Sequence, residues 1–268
     1  MIGVELVKML RRPRTWVTIG LLNGLPTLVA ILLALTDLGP RPGTGPAFLS
    51  AVLSDGTLFP LAALAIVLPF FLPIAVAVVA GDSVAGEAQA GTLRYVLTRP
   101  VGRTHLLFAK LVSVIAFVLL AVLVVAATGY VVGTLLLGDQ PLASSVSGTS
   151  LTPAQVTGRT VLSILYVVLS MLGVAAIALF LSTTTDSALG AALGALAVLV
   201  ASSVLFTLDA AAALQPYLPT RYWLAFVDLF RDPILWRDVL RGVLLQIIYV
   251  AVFLGASWAN FTTKDITS

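Results

Sequence analysis

Residues 105–137 read HLLFAKLVSVIAFVLLAVLVVAATGYVVGTLLL, with Lys110 the only residue that carries a full charge at neutral pH. As a helix this run would rise about 50 Å, well past the roughly 30 Å of hydrocarbon in a bilayer. It is apolar on every side, so it is not the half-buried stripe of a soluble helix. Nor does it alternate apolar and polar residues as a barrel strand would. Five more blocks of the same character lie at about 15–35, 58–80, 160–181, 187–208 and 242–259. The composition agrees: of 268 residues, 59% are hydrophobic and 10% charged, and the mean hydropathy is +1.08. A soluble domain needs about 25% charged residues to present a wetted surface. The expected fold is therefore an all-α polytopic membrane protein with six transmembrane helices, forming one transmembrane domain over 1–268.

The remaining chemistry is sparse. Cysteine is absent and His105 is the single histidine, which removes disulfides and thiolate sites and leaves no set for zinc or haem. No G-x-x-x-x-G-K-[ST] phosphate loop, H-E-x-x-H pair or triad is present. The middles of the expected spans hold almost no ionisable residue, which disfavours a proton or ion relay. Asp82, Asp186 and Asp209 fall near their ends. The chain is read as no enzyme, with no cofactor of its own and no nucleic-acid partner, and any work it performs draws energy from elsewhere. Arginine far outnumbers lysine beside abundant Ala, Val, Leu and Gly, the habit of a GC-rich bacterial gene.

The basic residues set the expected orientation. Lys8, Arg11, Arg12, Arg14, Arg94, Arg99, Arg103, Lys110 and Lys264 fall on one side, nine against the six of Arg41, Arg159, Arg221, Arg231, Arg237 and Arg241. By the positive-inside rule both termini are cytoplasmic, in a bacterial plasma membrane. The first block is too long for a signal sequence and no cleavage site follows it, so it is read as an uncleaved span.

Residues 1–14 form an expected amphipathic helix, with Ile2, Leu6, Met9 and Leu10 on one face and Glu5, Lys8, Arg11 and Arg12 mostly on the other, stopped by Pro13. Such a helix lies in the interface, either as an anchor or as an elbow that moves with a partner. Residues 81–104, GDSVAGEAQAGTLRYVLTRPVGRT, form an expected cytoplasmic loop. Within it Thr92 would cap a short helix that Pro100 ends, with Leu93, Val96 and Leu97 on one face and Glu87 before its positive end. That helix suits a groove on another protein, and a solvated loop without a partner suits it equally. Residues 209–241 mix Tyr217, Tyr222, Trp223, Phe226, Phe230 and Trp236 with charges, and read as an outer interfacial loop with short helices. Either an aromatic belt or a gate fits it.

Small residues four apart, Gly20 and Gly24, Gly129 and Gly133, Gly190 and Gly194, allow close helix packing. Gly190 and Gly194, extended by Ala191, Ala192 and Ala195, make the smoothest surface. Pro26, Pro69 and Pro73 mark kinks or hinges.

On Glu87, Gly91, Thr92, Leu93, Leu97, Pro100, Arg103 and Lys110, the chain resembles the membrane subunits of ABC-2 type (type V) ATP-binding cassette exporters, whose segment reads E-x3-G-T-L-x3-L-x2-P-x2-R. The tail Phe261, Lys264, Asp265 and Ile266 is similar to that family's F-x2-[KR]-D-[IL] ending. Among members it looks like the bacitracin-export and nitrous-oxide-reductase-maturation permeases. The resemblance implies that Glu87 to Arg103, including Arg94 and Arg99, couples to a cytoplasmic ATPase present in two copies, which binds ATP and Mg. It implies that Glu5, Lys8, Arg11 and Arg12 belong to the elbow helix. A second permease chain, identical or homologous, would pack across the second and fifth spans, with Gly190 and Gly194 at the seam. The cargo implied is lipophilic or amphipathic. The alternative is a transmission or assembly subunit that moves nothing.

Overall fold

A computed structural model of the protein describes residues 1–35, 56–92, 102–138, 143–144 and 149–263. Its helices are α1 (Ile2–Arg11), α2 (Pro13–Leu35), α3 (Phe59–Val67), α4 (Phe71–Gln89), α5 (Arg103–Leu137), α6 (Pro153–Thr184), α7 (Ala188–Thr207) and α8 (Trp236–Thr263). Six of them, α2 and α4 to α8, are long and apolar enough to cross a membrane. The protein is thus an all-α membrane-embedded chain, as the apolar blocks require. Helices serve here because each satisfies its backbone hydrogen bonds within itself, where lipid offers none. A two-residue antiparallel pairing of Ala143–Ser144 with Ser150–Leu151 is the one departure from helix and turn among the described residues.

The helix ends follow local chemistry. Thr152 and Gln155 form a reciprocal capping box at the start of α6, with Pro153 in the first turn. The Ser187 hydroxyl accepts from Gly190 N at 3.1 Å and opens α7. Pro13, expected to stop the first helix, also starts α2, where its missing N–H costs nothing.

Four expected boundaries shift, one being the start of α6 at Pro153, seven residues before 160. The second apolar block is not one helix, because α3 ends at Val67 and α4 begins at Phe71. Pro69 lies in the break; it can donate no backbone hydrogen bond to a continuing helix. At its other end α4 runs nine residues past Ala80, so Gly81–Gln89 is helical where a loop was expected. Finally, α8 begins at Trp236, which takes Arg237, Asp238 and Arg241 out of the outer loop. Between Asp209 and that point lie 3-10 turns at Asp209–Ala211, Gln215–Tyr217 and Trp223–Phe230.

α6 is the central helix, touching α4, α5, α7 and α8. α3 is enclosed on all sides, with Phe59, Ala62, Ala63, Leu64 and Val67 fully buried against α2, α5 and α6. α2, α7 and α8 show Leu21, Leu193 and Ile248 outward, as lipid-facing surfaces do. Contacts between helix ends fix the antiparallel order. Ala188 N donates to Gln89 Oε1, Asn260 Nδ2 to the Thr183 carbonyl, and Arg103 Nη1 to the Thr262 carbonyl. The ends of α4, α6 and α8 and the starts of α5 and α7 therefore share one end of the bundle, with α1 beside them.

The glycine pairs differ in use. A Cβ at Gly129 would sit 3.0 Å from Ala63 Cβ and 3.1 Å from Pro60 Cα, and one at Gly133 would strike the Gly56 carbonyl and Phe59. This pair is the seam between α5 and α3. Gly20 and Gly24 face open space. Gly194 is half-buried against Leu181 of the same chain, and Gly190 is exposed. The alanines beside them are spent internally, since Ala191 and Ala192 pack on Gly81 of α4.

Gly133→Ala should therefore destabilise by about 1–3 kcal/mol through overpacking. Gly20→Ala should be neutral or stabilising by up to about 1 kcal/mol through helix propensity. Thermal shifts of the two purified variants in detergent check the contrast.

Candidate functional site

Glu87 stands in the last turn of α4, 6% exposed, where the helix dipole disfavours a carboxylate. Two lysines compensate. Lys110 of α5 places Nζ 2.7 Å from Glu87 Oε2 and donates to the Ser83 carbonyl at 2.6 Å. Lys8 of α1 pairs with Glu87 Oε1. Lys110 is 1% exposed, so its ammonium depends wholly on these partners. One turn back, Asp82 accepts from Arg12 Nη1 at 2.7 Å and also pairs with Arg14. Together the two carboxylates of α4 hold the end of α1, the start of α2 and the first turns of α5.

The site departs from expectation in its geometry. α1 does not hide its apolar stripe and expose its charges. Met9 is buried and Leu6 partly so, but Glu5, Lys8 and Arg12 also turn toward the bundle, while Ile2, Val4, Val7 and Leu10 point away. The carboxylates of α4 explain the rotation, because Lys8 and Arg12 stand one turn apart and meet Glu87 and Asp82 from the same face. Arg11 stays exposed. A cavity of about 80 Å³ lies beneath, bordered by Glu5, Lys8, Arg12, Arg14, Asp82 and Lys110.

Gly91 and Thr92 have a part in α4 that was not expected. Gly91 has φ of +67°, Gly91 N donates to the Ala88 carbonyl at 3.0 Å, and Thr92 N to the Glu87 carbonyl at 3.0 Å. That is a Schellman motif closing α4, so Thr92 completes the end of that helix, and the helix it was expected to cap lies outside the described residues. Glu87 correspondingly sits in the last turn of α4. Leu93, Arg94, Leu97, Arg99 and Pro100 lie outside the described residues, as does the tail from Lys264. Arg103 is the first residue of α5 and is bonded to α8 through Thr262.

Behind the charged cluster, Ser182 of α6 ties α4 down. Its hydroxyl donates to the Gly81 carbonyl at 2.6 Å and accepts from Ala85 N at 2.9 Å. Asp82, Arg14 and the burial of Lys110 were not foreseen as parts of one site. The legible signal was the pair of carboxylates five residues apart beside a pair of cations four apart, but it becomes visible only once α4 is carried past Ala80.

At the other end of the bundle the segment from 209 to 235 is fastened by side chains rising from the spans. Tyr166 of α6 donates to the Tyr222 carbonyl at 2.6 Å, Gln246 of α8 to the Pro219 carbonyl at 2.8 Å, and Arg159 Nη1 to the Arg231 carbonyl at 3.0 Å. Ser202 of α7 and Thr220 share a hydrogen bond of 2.7 Å. Among the described residues no group of three or more Asp, Glu or His is set to hold a metal.

A bundle of apolar helices with a buried ionic junction at one end and a fastened cap at the other is a polytopic α-helical membrane protein. Within that class the chain belongs to the DUF2705 family, described as a protein of unknown function, whose profile matches residues 44–267. The match includes Asp82, Glu87 and Lys110 and begins after Lys8, Arg12 and Arg14. No curated protein matches the chain.

Glu87→Gln should cost about 3–5 kcal/mol, because it strands the Lys110 charge. Glu87→Gln combined with Lys110→Met should recover most of that loss, since the pair is removed together. The apparent melting temperatures of the purified variants, compared as a double-mutant cycle, decide it. Gly91→Ala should lose about 1–2 kcal/mol for its left-handed backbone, read in the same assay.

Proposed function

We propose that the chain is the membrane subunit of an ATP-driven exporter of the ABC-2 type, paired with a separate ATPase. The observation that carries this reading is the junction at Glu87. It joins α1, the end of α4 and the start of α5 into one electrostatic unit immediately beside residues 93–101, the segment whose sequence resembles a coupling helix. A load applied there by an ATPase would reach two spans and the surface helix together.

In this reading the ATPase subunits bind ATP and Mg, and this chain hydrolyses nothing. Closure of the ATPase pair pushes residues 93–101 of each membrane subunit, and the two membrane halves rock to change access from one side to the other. The exposed apolar face of α4, with Phe71, Ile74 and Val78, favours a lipophilic or amphipathic cargo moving between two such subunits. Both termini are then cytoplasmic and the fastened cap faces outward.

A second reading has one observation in its favour. The cap is bonded to α6, α7 and α8, the rigidity expected of a subunit that relays ATPase cycling to an outer protein without moving cargo.

Co-purification of the tagged chain from its native membrane should bring down a Walker-motif ATPase at close to equal stoichiometry. Leu97→Asp should abolish the coupling of ATPase activity to transport while elution and yield stay those of the parent, and Arg103→Glu should abolish it with a lower yield, because Arg103 also ties α5 to Thr262. Transport-linked ATPase activity that survives both substitutions refutes the exporter reading. ATP hydrolysis by reconstituted vesicles without uptake of any lipophilic or amphipathic probe transfers the case to the relay.

A further inference from the structure

The ionic cluster holds more donors than its own carboxylates use. Arg12 Nη1 and Arg14 Nη2 both end on the same oxygen, Asp82 Oδ2, although each guanidinium carries five N–H groups in a planar fork. Lys8 and Lys110 likewise divide one carboxylate. Around the cavity four cations thus face three carboxylates, Glu5 being the third. Arg11, exposed, stands next to them.

The surroundings are apolar and outward-facing. The side chains of Arg12 and Arg14 are 35% and 52% exposed. Beside them Val4, Val7 and Leu10 of α1 and Trp16 and Val17 of α2 turn away from the protein. In a chain embedded in a bilayer these residues meet lipid. A ligand suited to both features has a compact anion at one end and hydrocarbon at the other.

We propose that this cavity is a phosphate site, filled by the phosphodiester of an anionic phospholipid from the leaflet on the α1 side. The phosphate lies in the forks of Arg12 and Arg14, which match its oxygens in planar pairs, and the acyl chains run along the exposed apolar residues of α1 and α2. The site does not rest on the exporter reading, since it requires only that α1 lie in the membrane interface.

The test uses the delipidated full chain in detergent, titrated with equal amounts of dioleoyl phosphatidylglycerol and dioleoyl phosphatidylcholine and read by native mass spectrometry. The wild type should retain phosphatidylglycerol selectively, and Arg12→Gln and Arg14→Gln should each lower that preference about fivefold. Asp82→Asn removes the competing negative charge and should raise it, a gain that a cluster serving only to clamp the helices would not produce. Arg237→Gln, at the far end of the bundle, should leave it unchanged. Circular dichroism and elution volume establish that each variant is folded; if the glutamine variants are not, Arg12→Lys and Asp82→Asn decide the matter. A preference unchanged in the arginine variants, or reduced in Asp82→Asn, overturns the site. Displacement of the lipid by millimolar inorganic phosphate overturns its assignment to a lipid and points to a soluble phosphate instead.

Discussion

Glu87 is the residue on which one end of this bundle depends. A carboxylate in the final turn of α4 is opposed by the helix dipole and by burial. It is tolerable only because Lys110 and Lys8 reach it from two other helices. Lys110 in turn has no other carboxylate within ion-pair distance among the described residues, and leans on the Ser83 carbonyl for a further bond. Each charge makes the position of the others obligatory. The orientation of α1 follows from this, since its charged edge has to face inward to meet α4, and the apolar residues Val4 and Val7 are left outside.

The two ends of the bundle solve the same problem differently. At the α1 end, charges from separate helices neutralise one another. At the cap end, phenol and amide groups of α6 and α8 donate to backbone carbonyls, and the Ser202 hydroxyl of α7 bonds to Thr220. Those bonds satisfy irregular backbone that lipid could not. Arg159 is the exception, a buried guanidinium that donates to the Arg231 carbonyl and lies 3.8 Å from Asp232. Between the ends, α5 and α3 are brought together by Gly129 and Gly133 with scarcely a polar group involved.

The sequence announces the spans because each apolar block is as long as a bilayer is thick, and length alone decides that question. It is poor at locating where α4 stops. Residues 81–89 hold Gly, Ala, Ser and two acids, which read as loop by hydropathy yet stay helical, because Gly81 and Gly86 admit close neighbours and Ser182 secures the backbone. With α4 ended at Ala80, hydropathy assigns Asp82 and Glu87 to a loop and leaves their partners on α1 without a signal. Amphipathicity likewise identified α1 but misplaced its faces, because a hydrophobic pattern takes no account of buried acids waiting on another helix. The break at Leu68–Phe70 was legible from Pro69, its completeness was not. Of the glycine pairs, Gly129 and Gly133 pack closely against α3, and Gly194 meets Leu181.

The Schellman turn at Gly91 has a mechanical meaning. Thr92, whose amide and hydroxyl both bond to the Glu87 carbonyl, leaves no slack between the ionic junction and residue 93. On the far side Gly102 leads directly into α5, whose first residue is tied across to α8. The described roots on either side of residues 93–101 are thus each bonded into the bundle, one at Glu87 and the other at Thr262. A displacement imposed at either root would therefore be carried directly into α4 or α5.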